Sequence, residues 1–451
     1  MGLLEDTSQR AIRYIESLDA RKVAPTPRAV AELARLRMNL PENPTDPKEV
    51  IEELDHIVSP ATMAMAGPRF FGFVIGGSLP AALAANWLAG AWDQNSALYD
   101  VTPGTARLEE IALRWLVTLF RLPSNCGGAF VTGDTLANFS ALAAARHVVL
   151  ARAGWNVESD GLSGAPEIRL IVGAEAHPSL FKSLGLLGLG RNRVVRVPVD
   201  GQGRMRADAL PALSDKTIVC TQAGNVNTGA FDPTKEICRR AHEAGAWVHV
   251  DGAFGLWASA APSLAHLTDG VEDADSWATD AHKWLNVPYD SGLAFVRDSE
   301  ALRAAMAVTA EYLPASLGHR DPSDYTPELS RRARGVEVWA ALRSLGRSGL
   351  ADLIERTCRH AKRFAQGLNE AGYEILNEVV LNQVLVSFGD ADTTRKVIAE
   401  LQADGTCWCG KTVWQGHTAM RISISSWATK DEDVERSLKA MLRIAARHGK
   451  R

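Results

Sequence analysis

Residues 128–153 read GAFVTGDTLANFSALAAARHVVLARA: an apolar run, a polar turn containing a glycine, and a long alanine-rich stretch. The run predicts a buried strand and the alanine-rich stretch a helix. A similar strand followed by a turn recurs downstream, with the helical pattern DPTKEICRRAHEAG (232–245) between two of the strands. The recurrences are EIRLIVGAEAH (167–177), TIVCTQAG (217–224), AWVHVDGAFG (246–255) and SGLAFVRD (291–298). Apolar strands alternating with helices favour an α/β fold with a mostly parallel, helix-covered sheet.

The sequence pattern divides the chain into three regions. Residues 1–60 show helical periodicity broken by PENPTDP (41–47) and predict an N-terminal helical arm, which we expect to pack on a partner subunit or on the main body. Residues 61–325 hold the strand–helix alternation and predict a large α/β domain. Residues 326–451 combine a long helical pattern, two strand-like runs and a final helix, which predict a smaller α+β domain.

Composition narrows the class of protein. A formal net charge of -4 and a pI near 6.3 give no basic excess, which argues against nucleic-acid and membrane-surface partners. No apolar run is long enough to span a bilayer, and the start, MGLLEDTSQR, does not resemble a signal peptide. The six cysteines are scattered, and the close pair Cys407 and Cys409 lacks the spacing of a zinc or redox motif. We therefore expect a reduced, cytoplasmic protein without a metal site.

Small or polar residues follow the predicted strands. Because ligands bind at the carboxyl ends of strands in open α/β sheets, these residues are candidates for one shared site. They are Thr132–Thr135, His177, Asn225–Asn227, Asp251 and Lys283. Each has a structural alternative, since Asp251 and the 132–135 turn suit helix caps and a lone histidine is more often structural. In a functional reading, Gly133, Asp134 and Thr135 open a long helix and offer N–H groups and a hydroxyl to phosphate.

Lys283 lies in DSWATDAHKWLNVPYDSG (275–292), next to His282 and close to Trp277 and Trp284. It is either a solvated lysine on an amphipathic segment or an amine held in an apolar pocket. Burial lowers the pKa of a lysine, and the neutral amine is the nucleophile in imine chemistry. Pyridoxal 5′-phosphate (PLP) needs such a lysine for its aldehyde, a cradle for its phosphate, a carboxylate for its ring nitrogen and a flat partner for its ring. The strand-end residues match these needs in kind, so we predict PLP as the cofactor.

Five segments share a further pattern: PRFFGF (68–73), TPGTARLEEIALRWL (102–116), VHVDGAFG (248–255), DAHKWL (280–285) and SRRARGVEVWAALRSLG (330–346). Together they resemble the group II amino-acid decarboxylases, fold-type-I PLP enzymes that include the aromatic-amino-acid, tyrosine and glutamate decarboxylases. The resemblance covers nearly the whole chain. It implies the fold-type-I architecture, conversion of an L-amino acid to its amine and carbon dioxide, and a homodimer with active sites shared between subunits.

The resemblance also implies residue roles. Lys283 would form the imine with PLP, Asp251 would keep the ring nitrogen protonated, and His177 would stack on the ring and orient or protonate the reacting centre. Tyr325, ahead of the arginine-rich segment, would protonate the product's α-carbon, with Tyr312 as the alternative. The other cofactor-binding candidates are Gly133, Asp134, Thr135, Asn225, Ala253 and His282.

The chain departs from the family pattern at two acids, Asp134 in the phosphate turn and Asp280, where the family has asparagine. The substrate-pocket candidates are mostly apolar and predict an aromatic or aliphatic substrate: Val74, Ile75, Gly76, Trp92 and Tyr99. Arg421 stands where many transaminases of this fold bind a carboxylate, so an aminotransferase is one alternative. A carbon–carbon lyase of the aldolase type is another, and the combination of Lys283 with Asp251 argues against a non-enzymatic scaffold.

Overall fold

The computed structural model of the chain describes residues 2–36, 38–308 and 318–448. The helices are α1 (Leu3–Ser17), α2 (Pro27–Glu32), α3 (Pro47–Glu53), α4 (Pro80–Trp92), α5 (Pro103–Leu119), α6 (Asp134–Arg152), α7 (Val157–Asp160), α8 (Pro178–Leu186), α9 (Thr234–Glu243), α10 (Ser299–Met306), α11 (Gly335–Glu370), α12 (Ala391–Asp404) and α13 (Asp431–Arg447). The strands are β1 (Gly127–Val131), β2 (Arg169–Gly173), β3 (Val195–Val197), β4 (Thr217–Gln222), β5 (Trp247–Asp251), β6 (Ser276–Asp280), β7 (Gly292–Val296), β8 (Glu374–Ile375), β9 (Gln383–Ser387), β10 (Gly410–Trp414) and β11 (His417–Ser423).

Contacts within the chain divide it into two compact units. The larger unit comprises Ser78–Arg359 and Asn377–Gln383, and the smaller comprises Met1–Gly77, His360–Leu376 and Val384–Arg451. In this division the N-terminal residues group with the C-terminal sheet. The three-part division at residues 60 and 325 stays a prediction.

The larger unit is built on a seven-stranded sheet, counted over the described residues, with strand order β1-β7-β6-β5-β4-β2-β3. The neighbours from β6 to β3 pair in parallel, and only β7 runs antiparallel, to both β1 and β6. Strands β1, β5, β6 and β7 are buried along their whole length, because helices cover the sheet. The predicted α/β fold with a mostly parallel sheet is confirmed.

Helix α6 packs closely on this sheet. Ala137, Ala141 and Ala144 of this helix are completely buried, and their small side chains let the helix lie against β5, β6 and β7. Gly292, at the start of β7, contacts the turn before α6, where an added Cβ would lie 2.5 Å from the Cα of Gly133. Only glycine therefore allows β7 to pass this turn, which fixes the turn's position at the carboxyl end of β6.

The smaller unit contains a second sheet with strand order β10-β11-β9-β8. The strands predicted from NQVLVSF and MRISISSW are β9 and β11. Buried Arg69 ties the unit together, since its guanidinium bonds the carbonyl oxygen of Thr406 at 2.8 Å and the carboxylate of Asp433 at 3.2 Å. In the segment SRRARGVEVWAALRSLG (330–346), residues 330–334 precede the helix, since α11 begins only at Gly335.

Two further observations concern the cysteines and the apolar character of the helices. The six cysteines all fall in the described ranges and are free thiols. In the part of the chain that the structure describes, none of the helices combines the length and the apolar character that a membrane crossing requires.

Candidate active site

Four ionisable side chains meet at the carboxyl end of the large sheet. Asp251 ends β5, Asp280 ends β6, Lys283 follows β6, and Asp134 opens α6. The Nζ atom of Lys283 lies 2.8 Å from Oδ2 of Asp280, and both side chains are largely buried. We call Lys283, Asp134, Asp251 and Asp280 the lysine cluster; it contains three carboxyl groups and one amine.

The predicted lowering of the Lys283 pKa is wrong. Burial alone acts in the predicted direction, but Asp280, Asp134 and Asp251 act against it and raise the pKa of Lys283 above its usual value. The sequence around Lys283 shows apolar neighbours, whereas two of the acids come from other strands and helices. The cluster's own charges therefore keep this amine protonated.

The two carboxylate oxygens of Asp251 differ in their hydrogen bonding. Its Oδ1 accepts a hydrogen bond from the backbone N–H of Ala253 at 3.3 Å, and its Oδ2 is buried with no hydrogen-bond partner among the described residues. Burial raises the pKa of Asp251, while His177 and Lys283 lower it. A buried carboxylate oxygen without a donor is costly, and the protonated nitrogen of a pyridine ring would supply one. This end of the site fits PLP.

The turn before α6, the predicted phosphate cradle, also contributes an acid. The first-turn N–H groups of α6 face the carboxyl end of the sheet. Asp134 is buried, and its Oδ2 lies 2.9 Å from Asn138 Nδ2 and 2.8 Å from Ser179 Oγ. Its Oδ1 is buried without a partner in the described ranges. Burial, together with Asp251 and Asp280, raises the pKa of Asp134 well above its usual value.

His282 borders the cradle as a neutral donor. Its Nδ1 accepts a hydrogen bond from the backbone N–H of Ser291 at 3.0 Å, so the ring proton is on Nε2. That Nε2 lies 3.5 Å from Oδ1 of Asp280. Burial lowers the pKa of His282, and Tyr289 stacks on its ring with centroids 4.2 Å apart. His282 can therefore donate one hydrogen bond to an anion in the cradle.

His177 reaches the cluster from the start of α8. It is the N-cap of that helix, and its Nδ1 accepts the backbone N–H of Ser179 at 3.2 Å. The same nitrogen lies 2.8 Å from the Oγ of Ser179. His177 also acts electrostatically on Asp251. The structure therefore brings together His177, Asp251 and the cradle, as the strand-end positions predicted.

Three other predicted residues have local bonds. The backbone carbonyl of Ala253 accepts the N–H of Asp280 at 2.9 Å, which links the ends of β5 and β6. The carbonyl of Thr135 accepts a hydrogen bond from Ser183 Oγ at 2.7 Å. Asn225 is buried in its own turn, where its Oδ1 accepts the N–H groups of Asn227 and Thr228 at 2.8 and 3.2 Å. Its Nδ2 donates to Gln222 Oε1 at 3.1 Å.

The structure does not bring Tyr325 to Lys283. The tyrosine packs under the guanidinium of Arg320, 4.3 Å from its ring centroid, and Arg320 also donates to the carbonyl of Gly128 at 2.6 Å. Gly128 is at the amino end of β1, whereas Lys283 lies at the carboxyl end of the sheet. Tyr312, the alternative, lies outside the described residues.

Sequence reasoning missed the polar residues that support the site. Ser179 and Asn138 bond Asp134, and Ser291 orients His282. Asp280 was noted only as a departure from the family pattern, although its spacing of three residues from Lys283 was a usable signal for an ion pair. Arg421 lies on β11 of the smaller unit, opposite Gly410, and burial lowers its pKa to about 10.

Comparisons with known proteins agree with this chemistry. Residues 30–389 match the pyridoxal-dependent decarboxylase conserved domain. Tryptophan decarboxylase 1 of Oryza sativa subsp. japonica is 27% identical, over 93% of this chain and 88% of its own length. The aromatic-L-amino-acid decarboxylase of Sus scrofa is 28% identical, over 86% of this chain and 84% of its own length.

Solved structures show the same fold. The structure of Oryza sativa TDC with PLP and tryptamine matches with a TM-score of 0.91 at 23% identity, covering 99% of this chain and 97% of that one. Mouse CSAD matches with a TM-score of 0.89 at 22% identity, covering 98% of both chains. Because the family match spans most of its length, the chain belongs to the pyridoxal-dependent decarboxylase family.

Proposed function

We propose that this PLP-dependent amino-acid decarboxylase acts on an L-amino acid with an aromatic side chain, using Lys283 as the covalent anchor of the cofactor. One observation carries the assignment of the site: Lys283 and the unpartnered buried oxygen of Asp251 lie in a single charge cluster at the carboxyl end of the sheet. The relatives named as tryptophan and aromatic-L-amino-acid decarboxylases support the substrate class.

Each end of the cofactor has a proposed partner. Asp251 Oδ2 would bond the protonated ring nitrogen, and the negative charge of Asp251 would hold that proton in place. The α6 N-terminus, Thr135 and His282 Nε2 would donate to the phosphate. When bound, PLP supplies the electron sink for the bond that breaks at the α-carbon.

The chain's own residues position the substrate and control protons. Lys283 provides the amine that the substrate amino group displaces, and it would then hold a proton close to the α-carbon. His177, which acts electrostatically on Asp251 from the start of α8, would supply the flat partner for the cofactor ring. Burial of Lys283, Asp251 and Asp280 excludes water, which strengthens each electrostatic interaction in the site.

A substrate panel tests this proposal. Purified holoenzyme is incubated with each common L-amino acid, and carbon dioxide and organic products are measured by mass spectrometry. We expect carbon dioxide with the matching amine, and fastest turnover for tryptophan, tyrosine or phenylalanine. Fastest turnover of glutamate or aspartate would contradict the aromatic assignment. Amine transfer to a keto acid without carbon dioxide would contradict decarboxylation.

We propose further that the chain acts as a homodimer. Helix α4 exposes Trp87, Leu88 and Trp92, although its composition is strongly apolar. Helix α1 has no buried residue in the described chain, and its apolar residues Leu4 and Ile12 are exposed. Apolar surfaces of this kind are typical of interfaces. Light scattering should give twice the chain mass, and Leu88→Glu should shift the protein toward monomer; a monomeric parent would contradict the proposal.

The predicted role of Tyr325 and the cytoplasmic location belong to this proposal as well. Since Tyr325 lies away from Lys283 in one chain, a role in proton transfer would require access to the site of a second subunit. Tyr325→Phe should then lower the rate of amine formation without changing the affinity for PLP, whereas an unchanged rate would remove Tyr325 from the mechanism.

The six free thiols fit a reducing compartment, which cell fractionation can test.

A further inference from the structure

The phosphate end of the site has an unusual charge balance. A PLP phosphate is close to a dianion at neutral pH, yet the cradle contains Asp134 and Asp280. Both have a buried Oδ1 without a hydrogen-bond partner among the residues described. Among the described residues, Lys283 is the amine that faces them, and it already pairs with Asp280 at 2.8 Å. Adding a phosphate dianion to three carboxylates and one ammonium would leave a large uncompensated negative charge.

The hydrogen-bond geometry indicates where a compensating proton is held. His177 Nδ1 accepts the backbone N–H of Ser179, so this nitrogen carries a lone pair. The Oγ of Ser179 lies 2.8 Å from both that nitrogen and Asp134 Oδ2. The Ser179 hydroxyl has a single proton, so it can donate to His177 Nδ1 or to Asp134 Oδ2 but not to both. A proton on Asp134 satisfies both contacts, because Asp134 then donates to Ser179 and Ser179 donates to His177.

We propose that Asp134 becomes a neutral carboxylic acid when the cofactor's phosphate occupies the cradle, so that phosphate binds together with one proton, which Asp134 holds beside Asp280. This inference rests on the proposed function, because it concerns the same cofactor site. Asp134 is thus a positioning residue, since it acts on the phosphate through charge and on His177 through Ser179. The raised pKa of Asp134 agrees with this assignment.

The charged groups that face Asp134 change how readily its carboxylate takes up a proton. Asp251 from β5 and Asp280 from β6 favour protonation of Asp134, and Lys283 opposes it. His177, at the start of α8, is linked to Asp134 through Ser179. A phosphate dianion in the cradle would add to the effect of the two acids, so phosphate binding should draw in a proton from solvent.

Paired ligands test this coupling without catalysis. Pyridoxamine 5′-phosphate and pyridoxamine both lack the aldehyde, so neither forms an imine with Lys283, and only the first places a phosphate in the cradle. Calorimetry in two buffers of different ionisation enthalpy measures proton uptake directly. Between about pH 7 and 9 the ligand phosphate stays a dianion. Over that range, uptake of one proton raises the ratio of Kd for the phosphate ligand to Kd for pyridoxamine about tenfold per pH unit.

Two variants and one control locate the proton. Asp134→Asn keeps the shape and removes the acid, so the ratio should lose most of its pH dependence. Should that variant fold poorly by near-ultraviolet circular dichroism, Asp280→Asn provides a second test and should move the pH dependence to lower pH. Asp390→Asn removes the same charge at the exposed N-cap of α12 and should keep the parent slope.

The outcomes separate this proposal from the proposed function. A pH-independent ratio and no proton uptake in the parent protein, with both ligands bound, would overturn the proton coupling alone. An unchanged slope in Asp134→Asn would also overturn it. Failure of PLP and of both amines to bind would overturn the proposed function and this proposal together.

Discussion

Two buried ion clusters lie in the larger unit, and they differ in how their charges are satisfied. The lysine cluster has three acids around one amine, and three of its carboxylate oxygens have no hydrogen-bond partner in the described chain. Beside β1 lies a second cluster, formed by Glu109, Arg320 and Arg331, which we call the Glu109 cluster; in it one acid bonds two arginines. Glu109 Oε2 lies 2.7 Å from Arg331 and Oε1 lies 3.0 Å from Arg320.

The Glu109 cluster is closed by the backbone. Arg331 donates to the carbonyl oxygens of Ser96 and Phe130, each at 2.9 Å, and Arg320 donates to Gly128. These bonds join α5, β1 and the segment before α11, so the cluster has a structural role. The lysine cluster has free acceptors and excess negative charge instead. In the Glu109 cluster both carboxylate oxygens are bonded, although Arg331 Nε is buried without a hydrogen-bond partner among the described residues. A buried cluster whose acid is fully bonded within the chain supports the fold, whereas one with several unbonded acid oxygens and excess negative charge indicates a binding site.

Removing the amine of the lysine cluster should have the largest effect. Lys283→Ala eliminates the covalent anchor, and we expect the rate of carbon dioxide release to fall by about 10⁴-fold or more. The measurement is initial rate on the best substrate of the panel, with circular dichroism to confirm folding. A folded variant that retains a tenth of the parent rate would contradict the role of Lys283.

Breaking the Glu109 cluster should affect stability rather than chemistry. Glu109→Gln leaves two largely buried arginines without their counter-charge, so we expect the free energy of unfolding to fall by about 3 kcal/mol. Urea denaturation measures this change, and the rate per cofactor-loaded subunit should stay within about threefold of the parent. A loss of activity in a protein of parent stability would show that the two clusters do not divide the roles as described.

Asp251 should affect the reaction rate through Oδ2, the oxygen that has no hydrogen-bond partner among the described residues. Asp251→Asn removes the charge that holds the ring nitrogen's proton, and we expect the rate to fall by about 100-fold. The matched control is Asp232→Asn, also a buried acid, whose two oxygens accept backbone N–H groups from Met205 and Gln222 at 2.6 and 2.7 Å. The control should lose stability and keep its rate per loaded subunit; equal rate losses in both would refute the special role of Asp251.

The smallest predicted effect is on the pH dependence of stability. Burial and neighbouring acids raise the pKa of Asp134 in the folded state, so the folded chain holds a proton that the unfolded chain releases above about pH 4. The free energy of unfolding should therefore decrease as pH rises from about 4 toward the raised pKa, relative to that of Asp134→Asn. Urea titrations at several pH values compare the two proteins, and parallel profiles would contradict a protonated Asp134.

The sequence predicted the parts of the fold whose signal is local. The apolar run of β1 and the alanines of α6 identified the strand–turn–helix unit, and the strand ends identified Asp251, His177 and Lys283. Strand β6 was less visible because Ser276 and Thr279 are polar although buried; Ser276 Oγ lies 2.9 Å from Trp247 Nε1 and His249 Nδ1. A polar strand whose partners are far along the chain has no apolar period to detect.

The charges of the site were harder to predict than its residues. The direction of the Lys283 pKa shift was wrong because Asp134 and Asp251 reach it from other elements, 149 and 32 residues earlier in the chain. The pairing of Glu109 with Arg331 spans 222 residues, so the two family-like segments that contain them gave no local sign of contact. Both features depend on tertiary packing, which sequence spacing does not encode.

The most direct test of the central claim is to reduce the holoenzyme with borohydride, digest it, and locate the retained pyridoxyl group by mass spectrometry. The account predicts a single labelled peptide with the modification on Lys283, and no label on the Lys283→Ala protein. Label on another lysine, or none on a protein that carries PLP and releases carbon dioxide, would contradict it.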